Sequence, residues 1–142
     1  LLHNRRRCDN QKRRPYPNGG FSIMATYTRA ELTGSTDGRG IKVVQTATAG
    51  TTIHTAGAVT GDDNYVEVYL WAVNSDTTDR KLTLEWGGVT APDDLIEVTI
   101  PAESGLILVA PGLQIQNALV IRAFAATANV VMIHGYINKI RA

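Results

Sequence analysis

The segment Tyr65-Val66-Glu67-Val68-Tyr69-Leu70-Trp71-Ala72-Val73 carries a period of two, which is a strand's repeat and not a helix's. Val66, Val68, Leu70 and Ala72 fall on one side of the implied strand, and Tyr65, Glu67, Tyr69 and Trp71 on the other. Both sets are bulky. Such a strand is expected to be covered on both faces or to lie in a subunit contact.

The same period continues on the C-terminal side. Leu82, Leu84 and Trp86 alternate with Lys81, Thr83 and Glu85, and Ile96, Val98 and Ile100 alternate with Glu97 and Thr99. Both are patterns of half-buried strands, so Glu67, Glu85 and Glu97 are expected to point outward. Further strands are expected at Ile41–Thr48, Thr52–Thr55, Leu106–Val109, Ala118–Phe124 and Val130–Ile140. Turn-forming residues separate them: Thr48-Ala49-Gly50, Gly61-Asp62-Asp63-Asn64, Asn74-Ser75-Asp76, Gly87-Gly88, Pro101 through Gly105, and Pro111-Gly112. The link from Asn74 to Arg80 reads as a hairpin loop at one end of the domain. No segment keeps a helical apolar stripe, and the abundant Val, Ile and Thr favour strands. The expected fold is all-β: an antiparallel β-sandwich, jelly-roll-like, with an extended N-terminal arm.

With 142 residues the chain fits one domain, able to bury about two-thirds of its extended surface. Its single cysteine, Cys8, excludes an intramolecular disulfide framework. No apolar run reaches the roughly 18 residues that a membrane helix needs, and no secretory signal pattern is present. The expectation is a product made in the cytoplasm, with no membrane partner.

The net charge of +1 conceals a division. Residues 1–23 carry six basic side chains against Asp9, a surplus of +5, which leaves 8 basic and 12 acidic residues, or −4, in the remainder. Three readings of this irregular basic arm stand open: a cationic tether for an acidic surface or nucleic acid, a plain tail, or a translated upstream region. Met24-Ala25-Thr26 reads as a translation start, and codons for Gly19-Gly20 can spell a ribosome-binding sequence upstream of it. The domains expected are therefore 1–23, a basic arm; 24–39, an extended strap; and 40–142, the sandwich. The body is acidic, and its aromatic residues are not interleaved with cations in sequence, so no nucleic-acid binding is expected of it.

Catalytic constellations are sparse. His3, His54 and His134 lie far apart with no ligand spacing around them, and no metal or other cofactor is expected. His54 is expected to hydrogen-bond a neighbouring strand, and His134 to be a face or interface histidine. Asp62-Asp63-Asn64 and Asp93-Asp94 read as solvated turn acids, since neither matches a calcium loop. Gly34 through Gly40 lacks the lysine and following helix of a phosphate cradle. Cys8 has no partnering histidine, and Ser75 and Ser104 sit on no nucleophile elbow. An enzyme is not expected.

Surplus apolar surface is the positive signal. A domain this small has one core to fill, and the second face of the 65–73 strand exceeds it. At about 25 cal/mol per Å2, several hundred Å2 of apolar contact would supply roughly 10 kcal/mol before the costs of association. Tyr65, Tyr69, Trp71 and Tyr136 are the expected contact residues. Thr26, Tyr27, Arg29 and Glu31 are expected to reach from the strap to a neighbour by strand addition.

Residues 94–109, DLIEVTIPAESGLILV, lead into Leu119-Val120-Ile121-Arg122-Ala123-Phe124-Ala125 and then Ala128-Asn129-Val130-Val131 through Gly135-Tyr136-Ile137. This succession resembles small virion structural proteins of tailed bacteriophages, among them capsid decoration (cement) proteins and related head-fibre or tail-associated sandwiches. The resemblance covers about residues 40–140 and rests on a cadence of strands and turns. It implies a non-enzymatic homotrimer on the capsid surface, bound to the phage major capsid protein and stabilising contacts between capsid subunits. The alternative is a tail- or fibre-associated module binding host-surface glycans, which requires accessible aromatic residues such as Trp71 or Trp86. A virion-associated hydrolase would require converging carboxylates.

Overall fold

The central strand of the first sheet alternates strictly: Val66, Val68, Leu70, Ala72 and Asn74 are buried and the residues between them are not. In the computed structural model, which describes residues 26–58 and 65–141, this pattern is repeated around two packed antiparallel sheets. The arm 1–23, with His3 and Cys8, and the turn acids Asp62 and Asp63 lie outside the described residues.

Nine strands occur among the described residues. They are β1 (Thr26–Glu31), β2 (Ile41–Lys42), β3 (Thr51–Thr55), β4 (Tyr65–Asn74), β5 (Arg80–Trp86), β6 (Leu95–Ile100), β7 (Ile107–Ile115), β8 (Val120–Ala125) and β9 (Val131–Arg141). The first sheet runs β1-β9-β4-β7, with β2 also paired to β9, and the second runs β3-β8-β5-β6. β1 pairs with Tyr136 to Arg141 and β2 with Met132 and Ile133, so the two form one edge interrupted by residues 32–40. Counting that edge as one strand, successive strands alternate between sheets except at the β5–β6 hairpin. This is the double Greek key of a jelly roll.

Between the sheets lie Leu32, Ile53, Leu70, Leu82, Leu84, Ile100, Ile121, Ile133 and Ile137, each essentially inaccessible to solvent. Full burial of such a side chain contributes roughly 2 kcal/mol, and together they hold the two layers in contact.

Several expectations from sequence need correction. Pro111-Gly112 is no turn: it lies within β7, opposite Tyr69, between register shifts at Val68/Tyr69 and Leu70/Trp71. β7 is an edge strand, where a missing N–H and a bulge are tolerated. Ile41–Thr48 contributes only two laddered residues before the chain leaves the sheet. The Asn74–Arg80 link is a crossover between sheets and not a hairpin, because β4 and β5 belong to different layers. Asn74 locks it from inside, donating to the carbonyls of Thr78, Ile100 and Pro101 at 2.9, 3.1 and 3.2 Å. Residues 26–31 do not reach outward as a strap: they pair with β9 of their own chain.

Glu85 is the sharpest departure. Expected to face solvent, it is fully buried on the middle of the second sheet, with Arg122 and Leu95 as its register neighbours. Its Oε2 accepts a 2.8 Å hydrogen bond from the Gly50 amide, while Oε1 has no protein partner. Period two had placed it correctly on the outer side of its strand, but neighbouring structure covers it there.

Candidate functional site

The outer face of the first sheet is built from three strands in register. With Val66, Val68, Leu70 and Ala72 turned inward, β4 presents Tyr65, Glu67, Tyr69, Trp71 and Val73 outward. Antiparallel pairing places each beside the outward residue of β9: Ile140, Asn138, Tyr136, His134 and Met132. β1 extends three of these rows with Tyr27, Arg29 and Glu31, and β7 extends others with Gln114 and Leu108.

The face is therefore ordered across the strands. An apolar row, Tyr27–Ile140–Tyr65, is followed by a polar row, Arg29–Asn138–Glu67–Gln114. Next comes Glu31–Tyr136–Tyr69, ending at Pro111, and then His134–Trp71–Leu108. Tyr27 is 68% exposed, Leu108 51% and Tyr65 44%, so large apolar groups flank the centre on both sides.

At the centre the rings stack on one another. Tyr69 and Tyr136 have centroids 5.1 Å apart with planes 20° from parallel, and Trp71 lies tilted at 5.8 Å from Tyr136. The two tyrosine rings overlap face to face, and the phenol end of Tyr69 reaches over Gly112 on β7. The Arg29 guanidinium carbon covers the Tyr136 ring at 4.2 Å, from the β1 side. On the β7 side, a Cβ at Gly112 would come within 2.8 Å of the phenol end of Tyr69, and its φ of 89° favours glycine there. The result is one continuous stack, Arg29–Tyr136–Tyr69–Gly112, running across four strands.

All eight residues expected from sequence to make contacts lie on this sheet, and seven share its outer face. Thr26 does not: it alternates with Tyr27 and belongs to the opposite side. The union of Arg29 with Tyr136 was invisible in sequence, since the two meet only through β1–β9 pairing. Trp86, also weighed as a contact residue, is on the second sheet, donating its indole N–H to the Gln114 carbonyl at 3.2 Å. His134 lies against Gly40, where a Cβ would meet its ring at 2.6 Å.

A cavity of about 250 Å3 lies at one end of the sandwich, lined in part by Ala30, Thr33, His54, Val66, Ile137 and Lys139. His54 Nδ1 accepts the Thr33 amide at 3.2 Å, leaving Nε2 without a protein partner. Burial, reinforced by the Lys139 charge, lowers the His54 pKa to about 4, so the ring is neutral near pH 7. Asp76 is held below its ordinary value first by its hydrogen bond from Arg80, at 2.7 Å. Among the described residues no group of three or more His, Cys, Asp or Glu side chains gathers where it could hold a metal.

No family model, no curated protein and no solved structure matches this chain.

Proposed function

We propose that the chain is a non-enzymatic virion structural protein, a capsid decoration protein of a tailed phage, working through protein contacts on the outer face of its first sheet. One observation carries this reading: among the described residues, the aromatic stack Arg29–Tyr136–Tyr69–Gly112 lies on a sheet face flanked by exposed Tyr27, Tyr65 and Leu108. A sandwich needs one apolar face per sheet, and a second, rich in Tyr, Trp and Arg, has the composition of the anchors found in protein interfaces. The jelly-roll strand order is an architecture of viral capsid domains, though also of lectins, and supports the reading by analogy of fold alone.

The glycan-binding alternative is less well supported by the same stack. A sugar ring binds on the free face of an aromatic side chain, and here both faces of Tyr136 and Tyr69 are occupied by neighbours.

The test is quantitative mass spectrometry of purified particles of the encoding phage. Abundance on the scale of the capsomer lattice is the expected result. Absence from particles, or a few copies confined to the tail tip, would remove the decoration reading, and Tyr136→Ala should abolish incorporation while leaving the fold intact.

A further inference from the structure

We infer that this face pairs with the same face of a second copy, about a two-fold axis running along β9. The inference rests on reading the face as a protein contact, and it names the partner and its symmetry. In a face-to-face pair with the axis above β9, each β9 residue meets its own counterpart, and each β1 residue meets the β4 residue of the same row.

The rows read off the sheet are self-complementary under that operation. Arg29 would face Glu67 of the second copy, and Glu67 would face Arg29 of the second copy, so opposite charges meet twice. Asn138 meets Asn138 of the second copy, an amide pair able to donate and accept in both directions. One row on, Glu31 faces Tyr69 of the second copy. Glu31 Oε2 accepts the Gly38 amide at 2.9 Å, which holds its carboxylate beside that row. On the other side, Tyr27 faces Tyr65 of the second copy, with Ile140 against Ile140 between them. No like charges are opposed in these rows. Arg29 lies flat on Tyr136, which leaves the N–H edge of its guanidinium free to bond a carboxylate while the ring holds it in place.

Dimensions agree with a modest but specific contact. The face spans Met132 to Ile140 along β9 and three strands across, with β1 the third strand from Tyr136 onward and β2 at Met132 and Ile133, about 27 Å by 14 Å, or roughly 400 Å2 of ground area. Interdigitated side chains raise this to about 1,000 Å2 counted over both copies, near the lower end of specific interfaces. A weak contact of this size suffices where repetition on a surface supplies avidity. The charge pattern thus favours a pair over the threefold assembly implied by resemblance, because a heterologous contact would not set the row against itself.

The experiment is sedimentation equilibrium on the full chain at 1–100 µM, with charge exchange at the predicted pair. The expected species is a dimer of about 31 kDa, twice the 15.4 kDa chain. Arg29→Glu and Glu67→Arg should each weaken it at least tenfold, and the double variant should recover to within about threefold of the parent. Circular dichroism melts of all four proteins separate loss of pairing from loss of fold. As a second readout, Cys8→Ser/Asn138→Cys should cross-link to itself through a short bismaleimide, whereas Cys8→Ser/Thr99→Cys should not. A trimer, a monomer at 100 µM, or a double variant no better than the singles would overturn the two-fold pair. Should the pair fail while Tyr136→Ala still abolishes incorporation into particles, the face binds a different protein, and the proposed function stands without this inference.

Discussion

The two outer faces of the sandwich differ in kind. On the second sheet the outward side carries Lys81, Glu97, Thr99 and Arg122 beside Leu95 and Phe124, with Thr83 and Glu85 buried and with Lys81 and Glu97 paired at 2.7 Å in solvent. On the first they are Tyr65, Tyr69, Trp71, Tyr136 and Tyr27, organised around a cation and a glycine. Both sheets contribute to the same core, so folding demands no such difference. Among the described residues, the first sheet thus carries large aromatic side chains on its outer side as well as apolar side chains on its core side.

The comparison breaks most severely if the two sides of β4 prove equivalent. Leu70→Ala opens a cavity at a fully buried site and should cost about 2–5 kcal/mol in urea denaturation. Its immediate neighbour on the other face, Tyr69→Ala, removes a half-exposed ring and should cost less, about 1–2 kcal/mol, while abolishing self-association. Equal stability losses with association unchanged in both would mean that the outer rings are merely part of the fold.

Acid provides the next largest effect and acts on the end of the core. An unfolded imidazole titrates near 6.5 and that of folded His54 near 4. Below pH 6.5 the unfolded chain therefore takes up a proton that the folded chain refuses. Stability from this group is complete above pH 6.5, declines as pH falls toward 4, and levels off below. The loss is at most about 3 kcal/mol, reduced to the extent that water in the adjoining cavity screens the ring. Asp76, whose folded value lies below that of a free carboxyl, gives up its contribution only at still lower pH. His54→Asn, which can keep an acceptor for the Thr33 amide, should flatten the curve between pH 6.5 and 4. If association fell over that window while stability held, the titrating group would be on the aromatic face and not in the core.

How much of this could be read in the sequence depended on the range of the interactions. Alternation in β4, β6 and β9 is a local property, so strand identity and the all-β fold were legible. Pro111-Gly112 was misread as a turn because the dipeptide carries the same signature in a turn and in an edge bulge, and Tyr69, which explains the glycine, comes from another strand. Glu85 was misread because period two fixes which side of the strand a residue takes and says nothing of what covers that side. The bulky residues of the outer face were individually legible as surplus bulk. Their order into rows was not, because register between β1, β9 and β4 is set by pairings across most of the chain.

Gly112 tests the part that was illegible. Gly112→Val places a branched Cβ where the Tyr69 ring lies, at a positive φ, and should cost about 1–3 kcal/mol. Combining it with Tyr69→Ala should recover much of that loss, since the ring it strikes is gone. The conformational strain remains. Purely additive costs would detach the glycine from the stack.

The smallest effect closes the comparison from the opposite side. Lys81 and Glu97 are about half-exposed, and an ion pair of that kind contributes from nothing to about 1 kcal/mol. Lys81→Ala should therefore shift the urea midpoint barely beyond error, and the shift should vanish in 1 M salt. It should also leave sedimentation unchanged, because the second sheet takes no part in the proposed pairing. Arg29→Ala is the matched change on the first sheet: again one exposed cation, with a stability cost of about 0.5–1 kcal/mol from its contact with Tyr136. Two substitutions that stability hardly separates should thus differ widely in association. The distinction between the faces then rests on where a charge sits relative to the aromatic stack, and no longer on composition alone.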